Sequence, residues 1–347
     1  MKAAVTDGKG NVTLTDIAQP NPGPYQCLCN IEACATCTGT DRKIVYGQMP
    51  WANKYPGILG HESFGTVIQC GGKVRHIKPG ARFLRPLAAY PGVVWDGYAS
   101  WTGGFAEYGL VTDTRAMLED DPTVKVNGYC QYQQEIPPGI DIAPADATML
   151  VTLKEIASYV RDIGITFGSK VAVLGTGSVS MAMCFFAKLY GAYPVIAIGR
   201  RAQPMADCAK TGADFGINTQ TDDMSAKVRQ YTQGAGVDFV LDAAGDTRLL
   251  MDAGGLLARH GALATYAVRT GSEPLVHSRI DGPDRWKFIR YGPDETSAHQ
   301  YLLDLVRIHA VPLNHFYSHC LPFDDFEQGF RLLVDKKAFK VVFTMKH

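Results

Sequence analysis

The sequence has no surplus of charge of either sign. Lys plus Arg and Asp plus Glu each total 34 in 347 residues, so the formal net charge is zero. Such a chain casts no global basic field and carries no acidic tail, which argues against nucleic acid as its partner. It also lacks a long apolar run. The longest uncharged stretch, Val171–Ala187, is broken by Gly-Thr-Gly-Ser and falls short of the roughly 20 residues that span a bilayer. The opening residues MKAAVTDGKG hold no apolar signal core. Repeats and low-complexity segments are missing. The nine cysteines have no regular spacing, which excludes a disulfide framework and predicts reduced thiols in a cytoplasm. What remains is a balanced chain, 46% hydrophobic and 20% charged, with the makeup of a soluble globular protein long enough for two domains.

The densest local signal is the stretch 170–201, KVAVLGTGSVSMAMCFFAKLYGAYPVIAIGRR. A short branched run, Val171–Leu174, precedes Gly175-Thr176-Gly177-Ser178-Val179-Ser180; a helical segment over Met181–Tyr190 ends at Gly191, and a second apolar run, Pro194–Ile198, comes next. Strand, glycine turn, helix and strand make one βαβ unit of the dinucleotide-binding kind. Gly175 permits the sharp turn, and Gly177 lets backbone N–H groups approach a pyrophosphate at the positive helix end. The third position of the usual GxGxxG is Ser180, still small enough for close helix–strand packing. An ordinary glycine turn in an α/β core is the competing account, and the flanking strand and helix weigh against it. At the end of the second strand, where an NAD enzyme places an acid, stand Gly199, Arg200 and Arg201. Glycine leaves room there and guanidinium groups pair with a 2′-phosphate, which favours NADP(H) over NAD(H).

Residues 1–149 differ in texture from the rest of the chain. Short apolar runs such as Cys27–Ala33 and Gly65–Cys70 are separated by Pro22-Gly23-Pro24, Gly71-Gly72 and Pro79-Gly80, which predicts a β-rich, barrel-like domain. From about residue 150 helices and strands alternate: a helix at 150–164, the βαβ unit, and a strand at 262–267. Phe288–Tyr291 reads as the last strand of that domain; beyond it come helices over 298–308 and 323–334 and a closing strand at 340–344. No linker stands out, so the two domains are expected to share a cleft.

Two pieces of the first domain carry metal-ligand chemistry: Cys37-Thr38-Gly39-Thr40-Asp41 and Gly60-His61-Glu62. Thiolate, imidazole and carboxylate are all ligands zinc accepts. A hydrogen-bonded His-Glu pair and a small buried cysteine are the structural alternatives. Cys34 and Cys37 form a lone CxxC, which without a second CxxC is not a four-cysteine zinc knot.

With Pro56–Gly65, Lys78–Arg82, Gly103–Tyr108, Val237–Gly245 and Lys340–Val342 in order, these stretches resemble the zinc-containing alcohol and polyol dehydrogenases of the medium-chain dehydrogenase/reductase superfamily. The resemblance runs nearly end to end. It implies an α/β chain with a GroES-like β-barrel catalytic domain, residues 1–149 and 292–347, and a Rossmann domain with a doubly wound parallel sheet, residues 150–291. It also implies a homodimer or homotetramer acting on an alcohol, polyol, sugar or carbonyl compound. By resemblance Cys37 and His61 are zinc ligands, Glu62 contacts the metal directly or through a neighbour, and Thr40 hands off the alcohol proton. Gly175 to Val179 and Ala243 meet the cofactor. The hydride then moves between nicotinamide C4 and the hydroxyl-bearing carbon.

Three departures from the family pattern bear on the site. One extra residue separates Cys37 from Asp41, so Thr38 competes with Thr40 for the proton-relay role. The family's last protein ligand falls near Val151, where no ligand type stands; Glu155, Asp146 or water takes its place. The cysteine-rich lobe for a structural zinc is missing, because Arg85–Thr102 contains no cysteine, so one zinc at most is expected. Glu107 is expected to be a structural acid, Trp51, Trp95 and Trp101 either pocket walls or packing, His76 a solvated loop residue, and the Lys336-Lys337…Lys340 run a surface cluster. A metal-free reductase of activated double bonds or quinones is the alternative activity, and a nucleotide-binding protein without turnover the non-enzymatic one.

Overall fold

The computed structural model describes residues 1–100, 102–267 and 280–346; Trp101 lies outside them. It divides into two compact units, Met1–Val151 with His299–His347, and Thr152–Ala298. The first crossing falls inside one helix, Pro144–Asp162, rather than at its start. That helix begins six residues before the expected position 150, because Pro144 suits the first helical turn and Asp146 complements its positive end.

The first unit carries two sheets. In the seven-stranded one, Glu62–Cys70 and Val341–Thr344 flank Gln26–Ala35 on either side. Register decides what meets at its end. Ala35 lies opposite Glu62 on one neighbour and opposite Val342 on the other. The chain leaving Ala35 therefore runs into Cys37 beside the start of Glu62–Cys70 and beside Lys340. Below that end lies an aromatic cluster. Phe326 and Phe330 of the helix Phe326–Val334 sit one turn apart and face Phe105 and Phe343, with Phe105–Phe326 ring centroids 4.9 Å apart. Each buried ring contributes about 2 kcal/mol of apolar burial, which fastens the C-terminal helix to the sheet.

The five-stranded sheet contains Lys2–Thr6, Gly57–Ile58 and the hairpin Val94–Trp95/Tyr98–Ser100. The hairpin turns on Asp96-Gly97, both at positive φ, as a two-residue Asp-Gly turn requires. Trp95 Nε1 donates to Ala18 O at 2.7 Å, and Asp96 Oδ2 accepts from Ala18 N at 2.8 Å. The segment read from sequence as lacking a cysteine lobe is thus a pinned β-hairpin.

In the second unit six parallel strands run in the spatial order Phe215–Asn218, Val195–Gly199, Val171–Leu174, Val237–Asp242, Leu257–Thr265, Lys287–Ile289. Numbered along the unit this is 3-2-1-4-5-6, the doubly wound dinucleotide-binding order. Strand order reverses between Val171–Leu174 and Val237–Asp242, where such sheets bind ligands at their carboxyl ends. Among the described residues no helix is long and apolar enough to cross a membrane.

Candidate metal centre and cofactor turn

Cys37, His61 and Glu62 come together: one donor atom from each lies within 4.8 Å of the other two. The local chain explains the convergence. Thr40 N and Asp41 N both donate to Cys37 O, and Cys37 N donates to Asp41 Oδ2 at 2.7 Å, closing a tight loop into the helix Asp41–Val45. The residue added between Cys37 and Asp41 is absorbed in this loop, and Gly39 faces open space. On the other side Gly60 has φ +89°, and a Cβ there would sit 2.4 Å from Phe105 N. Gly104 N donates to Gly60 O at 2.6 Å and Phe105 N to Leu59 O at 2.9 Å. The Leu59–Glu62 and Gly103–Tyr108 motifs are therefore two sides of one backbone contact that aims His61.

His61 is held between acids. Its Nδ1 lies 3.5 Å from Asp41 Oδ1, and its Nε2 lies 3.9 Å from Glu62 Oε1. Neither His61 Nδ1 nor Asp41 Oδ1 has a well-formed hydrogen bond, though both are buried. Burial alone lowers the imidazole's proton affinity. Asp41 and Cys37 outweigh it and hold His61, without a metal, well above the ordinary histidine range. Glu62 Oε2 pairs with the ammonium of Lys340, and both side chains are 2% exposed. Glu62 Oε1 is the oxygen turned toward His61.

The donor set fits a divalent cation. With Cys37 ionised and His61 neutral, as metal ligands must be, Cys37, Asp41 and Glu62 bring three negative charges against the single positive charge of Lys340. A divalent cation that displaces the thiol and imidazole protons therefore leaves the site close to neutral. Three donors of sulfur, nitrogen and oxygen type also match the ligand number and kinds of a catalytic zinc site.

Other expected residues fall elsewhere. Glu155 belongs to the second unit, where its Oε2 accepts from Tyr266 OH at 2.6 Å. Asp146 Oδ1 accepts from Tyr317 OH at 3.1 Å. Of the two candidate hydroxyls, Thr40 Oγ1 lies 3.5 Å from Cys37 Sγ, whereas Thr38 Oγ1 donates to Phe339 O. Glu107 Oε2 accepts from Lys2 N at 2.7 Å, a structural bond. His76 is partnered rather than simply solvated, with Nε2 2.9 Å from Glu119 Oε2. Trp51 is half exposed, and Trp95 anchors its hairpin. Cys34 is buried in the aromatic cluster, which pushes its thiol far up. Lys340 corrects the sequence expectation outright, being 1% exposed rather than part of a surface cluster. A buried acid at position 62 needs a cation, and a lysine adjoining the apolar run Val341–Phe343 was the available signal.

The cofactor turn keeps its expected form. Gly175 has φ +112°, and a Cβ there would sit 2.8 Å from Ser180 Oγ, which explains the pairing of glycine with a small residue. Gly177 precedes the helix Ser178–Leu189 and makes no side-chain cap. Ala243 N donates to Leu174 O, and Asp242 Oδ1 accepts from Ala244 N and Gly245 N, stiffening the neighbouring loop. At Gly199 the reason for glycine differs from the one expected: a Cβ would meet Thr176 Cγ2 at 2.5 Å. Arg200 and Arg201 come next, on the surface.

Comparison with known proteins accords with this geometry. Residues 23–120 match the alcohol dehydrogenase GroES-like domain, and residues 178–284 match the zinc-binding dehydrogenase family. The chain is 27% identical over 340 residues to the NADP-dependent isopropanol dehydrogenase of Thermoanaerobacter brockii, covering 94% of each. Sorbitol dehydrogenase of Ovis aries is 25% identical over 301 residues, 83% of this chain and 81% of that protein. Among solved structures, alcohol dehydrogenase TADH from Thermus sp. ATN1 matches with a TM-score of 0.81 over 100% of both chains at 22% identity, a likeness of fold. With both halves matched in the family's own order, the chain belongs to the zinc-containing alcohol and polyol dehydrogenases of the medium-chain dehydrogenase/reductase superfamily.

Proposed function

We propose that this chain is an NAD(P)-dependent oxidoreductase that interconverts a small alcohol or polyol and its carbonyl compound, with one zinc ion held by Cys37, His61 and Glu62. The observation carrying this is the three-donor cluster, whose sulfur, nitrogen and oxygen atoms converge within 4.8 Å of one another. When bound, the ion supplies Lewis acidity toward the substrate oxygen and the nicotinamide supplies the hydride acceptor or donor. The chain's own residues do the rest. Asp41, 3.5 Å from His61 Nδ1, is placed to orient the ring by charge. Lys340 holds Glu62 by one oxygen and leaves the other for the metal. Thr40, beside the Cys37 sulfur, takes and passes the hydroxyl proton. Gly175, Thr176, Gly177, Ser178, Val179 and Ala243 form the cofactor cradle. Arg200 and Arg201 receive a 2′-phosphate, so NADP(H) is preferred; the brockii relative's NADP dependence supports this. A cytoplasmic homodimer or homotetramer is the accompanying proposal, consistent with nine free thiols.

The experiment combines metal analysis with a panel of secondary alcohols and polyols, each run with NADP⁺ and NAD⁺ while reduced nicotinamide is followed by absorbance. About one zinc per chain and faster turnover with NADP⁺ are expected. Zinc near zero, with turnover of quinones or activated double bonds, would replace this proposal by the metal-free reductase; buried Val151, where the family places a ligand, is the one feature favouring that alternative.

A further inference from the structure

One residue outside the donor set grips the backbone that carries His61 and Glu62. Arg85 is 5% exposed and has φ +60°, a left-handed conformation that side-chain-bearing residues adopt at a cost and keep only when their surroundings enforce it. Both of its backbone groups are engaged. Arg85 N donates to Ser63 O at 2.7 Å, and Arg85 O accepts from Gln133 Nε2 at 3.1 Å. Its guanidinium Nη1 donates to His61 O at 3.1 Å and to Tyr129 OH at 3.2 Å. The rings of Tyr129 and Tyr132 stand 5.7 and 5.4 Å from its Cζ, within reach of a cation–π attraction. In the opposite direction, Ser63 Oγ donates to Pro86 O at 2.7 Å. Three bonds from residues 85 and 86 therefore fix segment 61–63 at both its ends, with Glu62 between them.

An apolar residue would fill this space without desolvating a charge, so packing alone does not account for an arginine. The guanidinium makes a rigid, charge-assisted bond to the His61 carbonyl, which an apolar side chain cannot. We propose that Arg85 is a positioning residue for the metal centre. From the tyrosine pair of the short helix Gly128–Tyr132 it sets the His61 backbone, so that the imidazole, braced by Asp41, meets the metal in register with Cys37 and Glu62. The proposal rests on the zinc site described above.

The test uses the full chain, stripped of metal and reloaded. Arg85→Met keeps the apolar stem and removes the donors; Tyr129→Phe removes only the hydroxyl that shares Nη1 with His61 O. Zinc affinity is read by competition with a chromophoric chelator, site geometry by the visible spectrum of the Co²⁺-loaded protein, and integrity of the second unit by NADPH fluorescence. Arg85→Met is expected to weaken zinc binding about 10- to 100-fold and to shift the Co²⁺ bands, with NADPH binding unchanged. Arg85→Lys, which restores one donor, recovers part of the loss, and Tyr129→Phe gives a smaller shift in the same sense. A folded Arg85→Met with wild-type zinc affinity and Co²⁺ spectrum would overturn the proposal. Should that variant not fold, an unchanged affinity and spectrum in Tyr129→Phe overturns it instead. A wild-type protein that takes up no zinc overturns the metal site itself, and this proposal with it, and is a distinguishable result.

Discussion

Lys340 and Glu62, 278 residues apart in the chain, form an ion pair in which 2% of each side chain is exposed. Removing one partner of such a pair strands a buried charge, at a cost of about 3–5 kcal/mol. Lys340→Met is therefore expected to lower the melting temperature of the metal-free protein sharply. Zinc should offset part of the loss, because it supplies Glu62 with another cation. Thermal melts with and without zinc check this, and an equal loss in both forms would contradict the charge assignment.

Thr40 and Thr38 differ in their partners: Thr40 Oγ1 accepts from Cys37 Sγ, whereas Thr38 Oγ1 donates to Phe339 O. Thr40→Val should lower kcat/KM by about 10²–10⁴-fold, the range for loss of a positioned proton-transfer group. Thr38→Val should leave kcat/KM within a few-fold of wild type. Steady-state kinetics separate the two, and a reversed order assigns the relay to Thr38.

Arg200→Ala and Arg201→Ala bear on cofactor choice. Each should raise KM for NADP⁺ about tenfold, the order expected for one lost charge-assisted bond, with KM for NAD⁺ nearly unchanged. Equal effects on both cofactors would remove the 2′-phosphate from the account of these arginines.

Gly60→Ala combines a strained φ of +89° with a Cβ placed 2.4 Å from a backbone nitrogen, which no flexible side chain can relieve. The variant is expected to lose zinc together with stability, by about 2 kcal/mol or more. Urea unfolding and metal analysis of the same sample test it; unaltered zinc content would mean that His61 is aimed by something other than this contact.

Asp113 gives the pH prediction. Burial by itself would raise its pKa, but backbone N–H groups of His76, Ala116 and Arg75 bind the carboxylate and draw it below the ordinary 3.8. A depressed folded pKa means that the stabilisation is fully present above about pH 4 and is lost as the pH falls through the lower, folded value. Asp113→Asn should cost about 1 kcal/mol at neutral pH, as for a weakened helix cap, and should flatten the acid limb of the stability curve. A variant with the wild-type acid limb would show that other carboxylates govern acid unfolding.

Much of the second unit could be read from sequence because its signals are local. Gly175, Gly177 and Ser180 fall within six residues, next to the strand Val171–Leu174, and need no distant partner to make sense. The reason for Gly199 escaped, since it depends on Thr176 crossing over from the neighbouring strand end. In the first unit Cys37, His61 and Glu62 stood out by residue type, but their companions did not. Lys340 looked like surface charge because what buries it is strand pairing with Gln26–Ala35, a contact between the two ends of the chain. Asp41 was visible only as part of a motif; its bond to Cys37 N and its place beside His61 Nδ1 emerge from the loop geometry. The Asp96-Gly97 turn is a legible hairpin signal, masked in a segment whose most obvious feature is its missing cysteines.

The separation of Glu62 from Lys340 also sets an order of events during synthesis. Cys37, His61 and Glu62 leave the ribosome early and close together. At about 5–20 residues per second, position 340 emerges on the order of tens of seconds later. Throughout that interval the three donors exist without their counter-cation, because the strand that carries Lys340 to Glu62 is the last of its sheet to be made.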